Sequence, residues 1–125
     1  MAIQSHEQLN HFRVLVVEDN YLIAEDVAEV LREVGIYVVG PVGKFQEACH
    51  IVQDTPLDCA VLDINIVGGT AFPLIDVLIQ SNVPVLLMTG YDQEELPVKY
   101  RSLPLIQKPL LQGDVVGAFK KLFER

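Results

Sequence analysis

Five side chains of this 125-residue sequence could share one chemistry: Glu18, Asp19, Asp63, Thr89 and Lys108. Each follows an oily run that reads as a buried strand. Residues 13–17 precede Glu18-Asp19, 59–62 precede Asp63, 83–88 precede Thr89, and 103–106 precede Gln107-Lys108-Pro109. Three carboxylates at one sheet edge repel each other, and unpaired, at least one takes up a proton. A divalent cation relieves the repulsion, and oxygen-only donors without His or Cys point to Mg²⁺. A carboxylate beside Mg²⁺ can attack a phosphoryl group and become an aspartyl phosphate. Such a transfer needs charge neutralisation around the equatorial oxygens, and Mg²⁺, the Lys108 ammonium and the Thr89 hydroxyl could each take one. Asp63 follows the innermost-looking strand and is the best nucleophile, with Glu18 and Asp19 on the metal. Gly90 would let the backbone near Thr89 approach the phosphate closely. A plainer reading makes the acids helix N-caps, because Asp19 precedes a helix whose dipole favours an acid. That explains one acid, not acids at two adjacent strand ends with a Lys and a Thr opposite.

For these residues to meet, the elements behind them must form one sheet. The run 13–17 is continuously apolar, as in a strand covered on both faces. Over 21–34, Leu22, Ile23, Val27, Val30, Leu31 and Val34 recur at helical spacing, with Glu25, Glu29, Arg32 and Glu33 opposite. Gly35 stops that helix. A second strand, 37–39, is closed by Gly40-Pro41. Residues 44–53 read as a helix with Phe45, Ala48, Cys49 and Val52 on one face. Gly68-Gly69 marks a loop after the third strand, and 71–80 and 112–123 are further helices. Pro104 opens the fifth strand, where a missing donor is tolerated. Strands alternating with helices imply βαβ units and a parallel sheet. The expected fold class is α/β, a flavodoxin-like doubly wound five-stranded parallel sheet of order 2-1-3-4-5 with helices on both faces. In that order the strand ends named above share one crevice.

Composition narrows the partners. The net charge is −8, and an acidic domain repels phosphate backbones, so direct nucleic-acid binding is not expected. No apolar run approaches the roughly 18 residues of a membrane span. Residues 1–11 are a polar tail without a targeting pattern, and 12–125 form one domain. A cytoplasmic monomer is expected. Cys49 and Cys59 have no metal-ligand spacing and read as two buried reduced thiols. His6, His11 and His50 lie far apart and read as surface or tail residues.

The motifs "VVEDN" (16–20), "LDINI" (62–66), "LMTGY" (87–91) and "QKP" (107–109) stand in this order at successive strand ends. Together they make the chain, over about residues 13–123, resemble the response-regulator receiver domain of two-component signalling. The resemblance implies a phosphoprotein that takes a phosphoryl group from a sensor histidine kinase and switches conformation to control protein partners. By the same resemblance Asp63 is the phospho-acceptor, and Glu18 and Asp19 bind Mg²⁺ together with Asp63. The Asn65 backbone carbonyl completes the metal site. Thr89 contacts the phosphoryl group, Lys108 is the site lysine, and the Lys108–Pro109 bond is cis. Such a domain assists only its own phosphotransfer and autodephosphorylation and is otherwise not an enzyme.

The sequence departs from the typical receiver at Leu105, which stands where an aromatic switch residue is usual. Tyr91, two residues after Thr89, is the nearest aromatic substitute. "LLMTGY" and "LDINIVGG" are similar to the strands of stand-alone, single-domain receivers called FAT GUY regulators, although Leu87-Met88 replaces their Phe-Ala. By that resemblance Asn65 and Tyr91 tune hydrolysis. Asp92 and Glu95 form a capping-box pattern, and Pro97 then interrupts the helix they would start. The fourth helix is therefore expected to be short, distorted or mobile, and residues 90–102 to order on phosphorylation. A plain surface loop is the alternative. Rival functions are a haloacid-dehalogenase-like phosphatase or phosphotransferase, a partner-binding pseudo-receiver, and the N-terminal receiver of a longer regulator with an effector domain. "DIN" (63–65) lacks the second Asp of the first, and "VEDN" replaces the Gly-rich loop of a nucleotide or flavin module.

Overall fold

A computed structural model describes residues 11–64, 71–89, 96–108 and 110–123, with Thr89 and Phe123 described only by their backbone. Period-two patterning decides the layers. In β1 (Arg13–Val17) four consecutive residues are buried, yet alternate ones face opposite ways. Leu15 and Val17 join Ala60, Leu62 and Leu87 under α2 (Phe45–Asp54) and α3 (Ala71–Gln80). Val14 and Val16 join Val61 and Met88 under α1 (Tyr21–Glu33) and α4 (Gln112–Phe123). With β2 (Tyr37–Val42), β3 (Cys59–Asp63), β4 (Val85–Thr89) and β5 (Leu105–Gln107), the sheet is parallel in the order β2-β1-β3-β4-β5. This is the flavodoxin-like doubly wound fold that the alternation of strand and helix implies.

Several local expectations shift. Gly40-Pro41 does not close β2; the strand runs through it to Val42. Gly40 has φ +93° and the Gly40–Pro41 bond is cis, and the pairing slips between Leu15 and Val17 so that Val17 meets Val42. Because β2 is an edge strand, the missing proline donor breaks no second ladder. β4 and β5 both start two residues later than their apolar runs, after Pro84 and Pro104. Leu22, placed inward by the helical pattern, is 73% exposed, because it lies on the far side of the helix from the buried face of Ala24, Val27, Ala28 and Leu31. Cys59 is buried and its thiol is pushed up by that burial, whereas Cys49 is only half-buried. His11 and His50 are exposed.

The ends of α1 follow from capping chemistry. The Asn20 side chain accepts from the backbone N–H of Leu22 and Ile23 at 3.1 and 3.2 Å. At the other end Gly35 adopts φ +92°, and the Ile36 N–H returns to the Leu31 carbonyl at 3.1 Å. Between β4 and β5, the described residues hold one 3₁₀ turn, Val98–Tyr100, with Pro97 at its cap. The part of this connection at 90–95, with Asp92 and Glu95, lies outside the described residues. Tyr100 is buried, stacks on Phe72 of α3 at 4.9 Å, and donates to Asp76 at 3.1 Å. Lys99 pairs with the same carboxylate.

Candidate functional site

The sheet order brings the ends of β1, β3 and β5 to one edge, and the acids meet there. Glu18 and Asp63 are each 3% exposed, the buried charged groups of the described core. One oxygen from each of Glu18, Asp19 and Asp63 lies within 4.8 Å of the others. Lys108 Nζ stands 2.8 Å from Asp63 Oδ2 and 3.2 Å from Glu18 Oε2. It reaches both from the end of β5, past β4. The backbone holds Glu18 too: the Asn20 N–H donates to Glu18 Oε1 at 3.1 Å, and the Glu18 N–H donates to the Val42 carbonyl at 2.9 Å.

Capping therefore does not explain these acids, because Asn20, not Asp19, caps α1. Four of the five sequence-marked residues come together by this geometry. Thr89 ends β4 one residue beyond Met88, the register partner of Asp63. Asn65, Gly90, Tyr91 and Pro109 lie outside the described residues, as does Gly68-Gly69. Leu105 is half-buried and packs into the cluster that also holds Tyr100. Two residues whose backbone holds Glu18 escaped sequence reasoning. Asn20 was hidden by the acid before it and Val42 by a proline that looked like a stop.

The pocket's electrostatics match crowded acids. Burial raises the Glu18 carboxyl to about 7, helped by the hydrogen bond and charge of Asp63 and opposed by the Asn20 amide and Lys108. Burial pulls the Lys108 ammonium down, but its bonds to Asp63 and Glu18 outweigh this and leave it above the ordinary lysine value. For Glu18 the folded value exceeds the unfolded 4.5, so the folded state binds its proton more tightly. The stabilisation from that proton is complete below about 4.5 and is lost as pH rises to about 7. Metal-free wild type should thus lose about 1–3 kcal/mol relative to Glu18→Gln between pH 5 and pH 8. Urea melts of both proteins in EDTA measure this; a gap that does not change with pH contradicts it.

The donor chemistry suits a hard cation: three carboxylate oxygens close together, with no soft ligand in the group.

Comparison with known proteins agrees with this geometry. Residues 14–117 match the family model of the response regulator receiver domain. SdrG from Pseudomonas melonis Fr1, solved in its BeF3-activated conformation, is 30% identical with a TM-score of 0.78, over 91% of this chain and 97% of that one. The PhyR stress response regulator is 27% identical with a TM-score of 0.75, over 93% of this chain and 47% of that one. Transcriptional regulatory protein PdtaR of Mycobacterium tuberculosis is 27% identical over 117 residues, which are 90% of this chain and 57% of that protein. This chain thus spans under two thirds of the length of PdtaR.

Proposed function

This chain belongs to the response regulator receiver domain family, and on that premise we propose that Asp63 accepts a phosphoryl group from a histidine kinase. The observation that carries this is the Lys108 ammonium bridging Asp63 and Glu18 among carboxylate oxygens within 4.8 Å of one another. An Asp63 oxygen attacks phosphorus, the P–N bond to the kinase imidazole breaks, and an acyl phosphate remains. Lys108, already beside Asp63, offsets the added negative charge, and Thr89 at the neighbouring strand end supplies the hydroxyl. Glu18, Asp19 and Asp63, with the Asn65 carbonyl by resemblance, would hold Mg²⁺. Bound there, Mg²⁺ would neutralise phosphoryl oxygens and the crowded acids. Glu18 keeps its place through the backbone at Asn20 and Val42.

The protein acts in this reading as a cytoplasmic monomer that signals through protein contacts, in the manner of the FAT GUY regulators, and catalyses only its own phosphotransfer and dephosphorylation. Among the described residues no helix is long and apolar enough to cross a membrane. Incubation with a small acyl-phosphate donor and Mg²⁺, read by intact mass, tests the reading. One phosphoryl group per chain is expected. Steady turnover of simple phosphate esters would instead favour a haloacid-dehalogenase-like phosphatase.

The response to phosphorylation runs through residues 90–102. Tyr100 ties the described part of this segment to α3, which follows the Asp63 loop. Amide exchange at 96–102 should slow about tenfold or more when BeF3⁻ and Mg²⁺ are added, a free-energy change of about 1.4 kcal/mol. Equal protection in both states counts against this route.

A further inference from the structure

The edge strand β2 contributes no side chain to the acidic pocket, yet its end touches the backbone of both metal-binding candidates of β1. The slip at Gly40-Pro41 returns β2 to register at Val42, whose carbonyl takes the Glu18 N–H at 2.9 Å. The next residue, Gly43, lies directly against Asp19. A Cβ built on Gly43 would stand 3.0 Å from Asp19 Cα, 3.4 Å from Asp19 Cβ and 3.5 Å from the Glu18 carbonyl oxygen. Ordinary carbon contacts are nearer 3.5–4.0 Å, so a side chain here would push Asp19 away by a few tenths of an ångström. The alternative, a glycine needed for its backbone angles, does not apply: Gly43 is absent from the positive-φ glycines, which include Gly35 and Gly40. What the position requires is the missing atom.

We infer that Gly43 is a positioning residue for the cation site, its bare α-carbon seating Asp19 at the distance from Asp63 and Glu18 that Mg²⁺ needs. The inference rests on the reading of Glu18, Asp19 and Asp63 as a Mg²⁺ site. Its physical basis is the intolerance of Mg²⁺, which demands near-ideal octahedral geometry at roughly 2.0–2.1 Å, whereas Ca²⁺ accepts flexible geometry at roughly 2.3–2.6 Å. A shift of Asp19 by a few tenths of an ångström should therefore harm Mg²⁺ binding more than Ca²⁺ binding. An effect on overall packing would not discriminate between the ions.

Titration calorimetry of the full chain with Mg²⁺ and with Ca²⁺, without any phosphoryl donor, tests this. Gly43→Ala should weaken Mg²⁺ binding about tenfold, the scale on which supporting contacts act at metal sites, and weaken Ca²⁺ binding less. Gly113→Ala is the control, because a Cβ at Gly113 meets nothing within 4 Å; it should bind both ions as wild type does. In the Asp19→Asn background, Gly43→Ala should cost little further affinity, since the carboxylate it displaces is gone. Wild-type Mg²⁺ affinity in Gly43→Ala, or equal loss for both ions, overturns the inference while leaving the Mg²⁺ site intact. Absence of Mg²⁺ binding by wild type overturns the site reading itself and this inference with it. Gly43→Ser adds the same carbon and repeats the titration if the alanine variant does not fold; failure of both to fold assigns Gly43 a general structural role and overturns the inference.

Discussion

Lys108→Ala should destabilise the Mg²⁺-free protein by about 3 kcal/mol near pH 8, the scale for removing one partner of a buried ion pair. The lysine is the cation that joins two carboxylates exposed by only 1% and 5% of their side-chain area. Without it, Glu18, Asp19 and Asp63 face one another across a few ångströms, and water reaches two of them poorly. One relief is protonation of Glu18, whose carboxyl already sits near 7. The variant should thus recover part of its stability near pH 6, and Mg²⁺ should restore more at pH 8 than at pH 6. Urea melts at both pH values, with EDTA and with Mg²⁺, give the four numbers needed. A loss below about 0.5 kcal/mol at pH 8 without metal would place the pair among exposed bridges that contribute little and sink the argument.

Asp63→Asn should abolish labelling by an acyl-phosphate donor in Mg²⁺, while wild type gains one phosphoryl group. The change keeps the shape of the side chain and removes the anionic oxygen that would attack phosphorus. Glu18 is the other buried acid near Lys108 and the obvious competitor. Both of its oxygens already accept hydrogen bonds, Oε1 from the Asn20 N–H and Oε2 from Lys108. Intact mass followed by peptide mapping separates the two. Phosphoryl on Glu18 in wild type, or undiminished labelling of Asp63→Asn, would break the assignment of the acceptor.

Much of this architecture could be read directly from residue order. Continuous apolar runs at β1 and β3 record burial on both faces, and each ends at the acid it presents, so strand order was enough to bring Glu18, Asp63 and Lys108 together. The misses have a common origin in contacts between distant segments. Gly40-Pro41 looks like a stop because local chemistry favours a turn there; only the neighbouring β1 shows that it is a slip within a strand. Leu22 is the exception: on the helix it lies opposite the buried stripe of Ala24, Val27, Ala28 and Leu31, so its spacing alone places it outward. The choice between Asp19 and Asn20 as cap depends on one residue of chain direction, which spacing does not resolve. Gly43 could not be recognised at all, because its significance is an empty volume against Asp19.

The span of Lys108 has a mechanical consequence. β5 is only three residues long and hydrogen-bonds to β4 alone. Beyond its last rung, Lys108 acts as a guy-rope, running over β4 to Asp63 and on to Glu18 at the centre of the sheet. The tension in that rope is set by how much negative charge the two carboxylates carry. Any chemistry that changes this charge therefore also changes how firmly the outermost strand is moored, and the rim of the sheet feels an event at its middle without any helix having to move first.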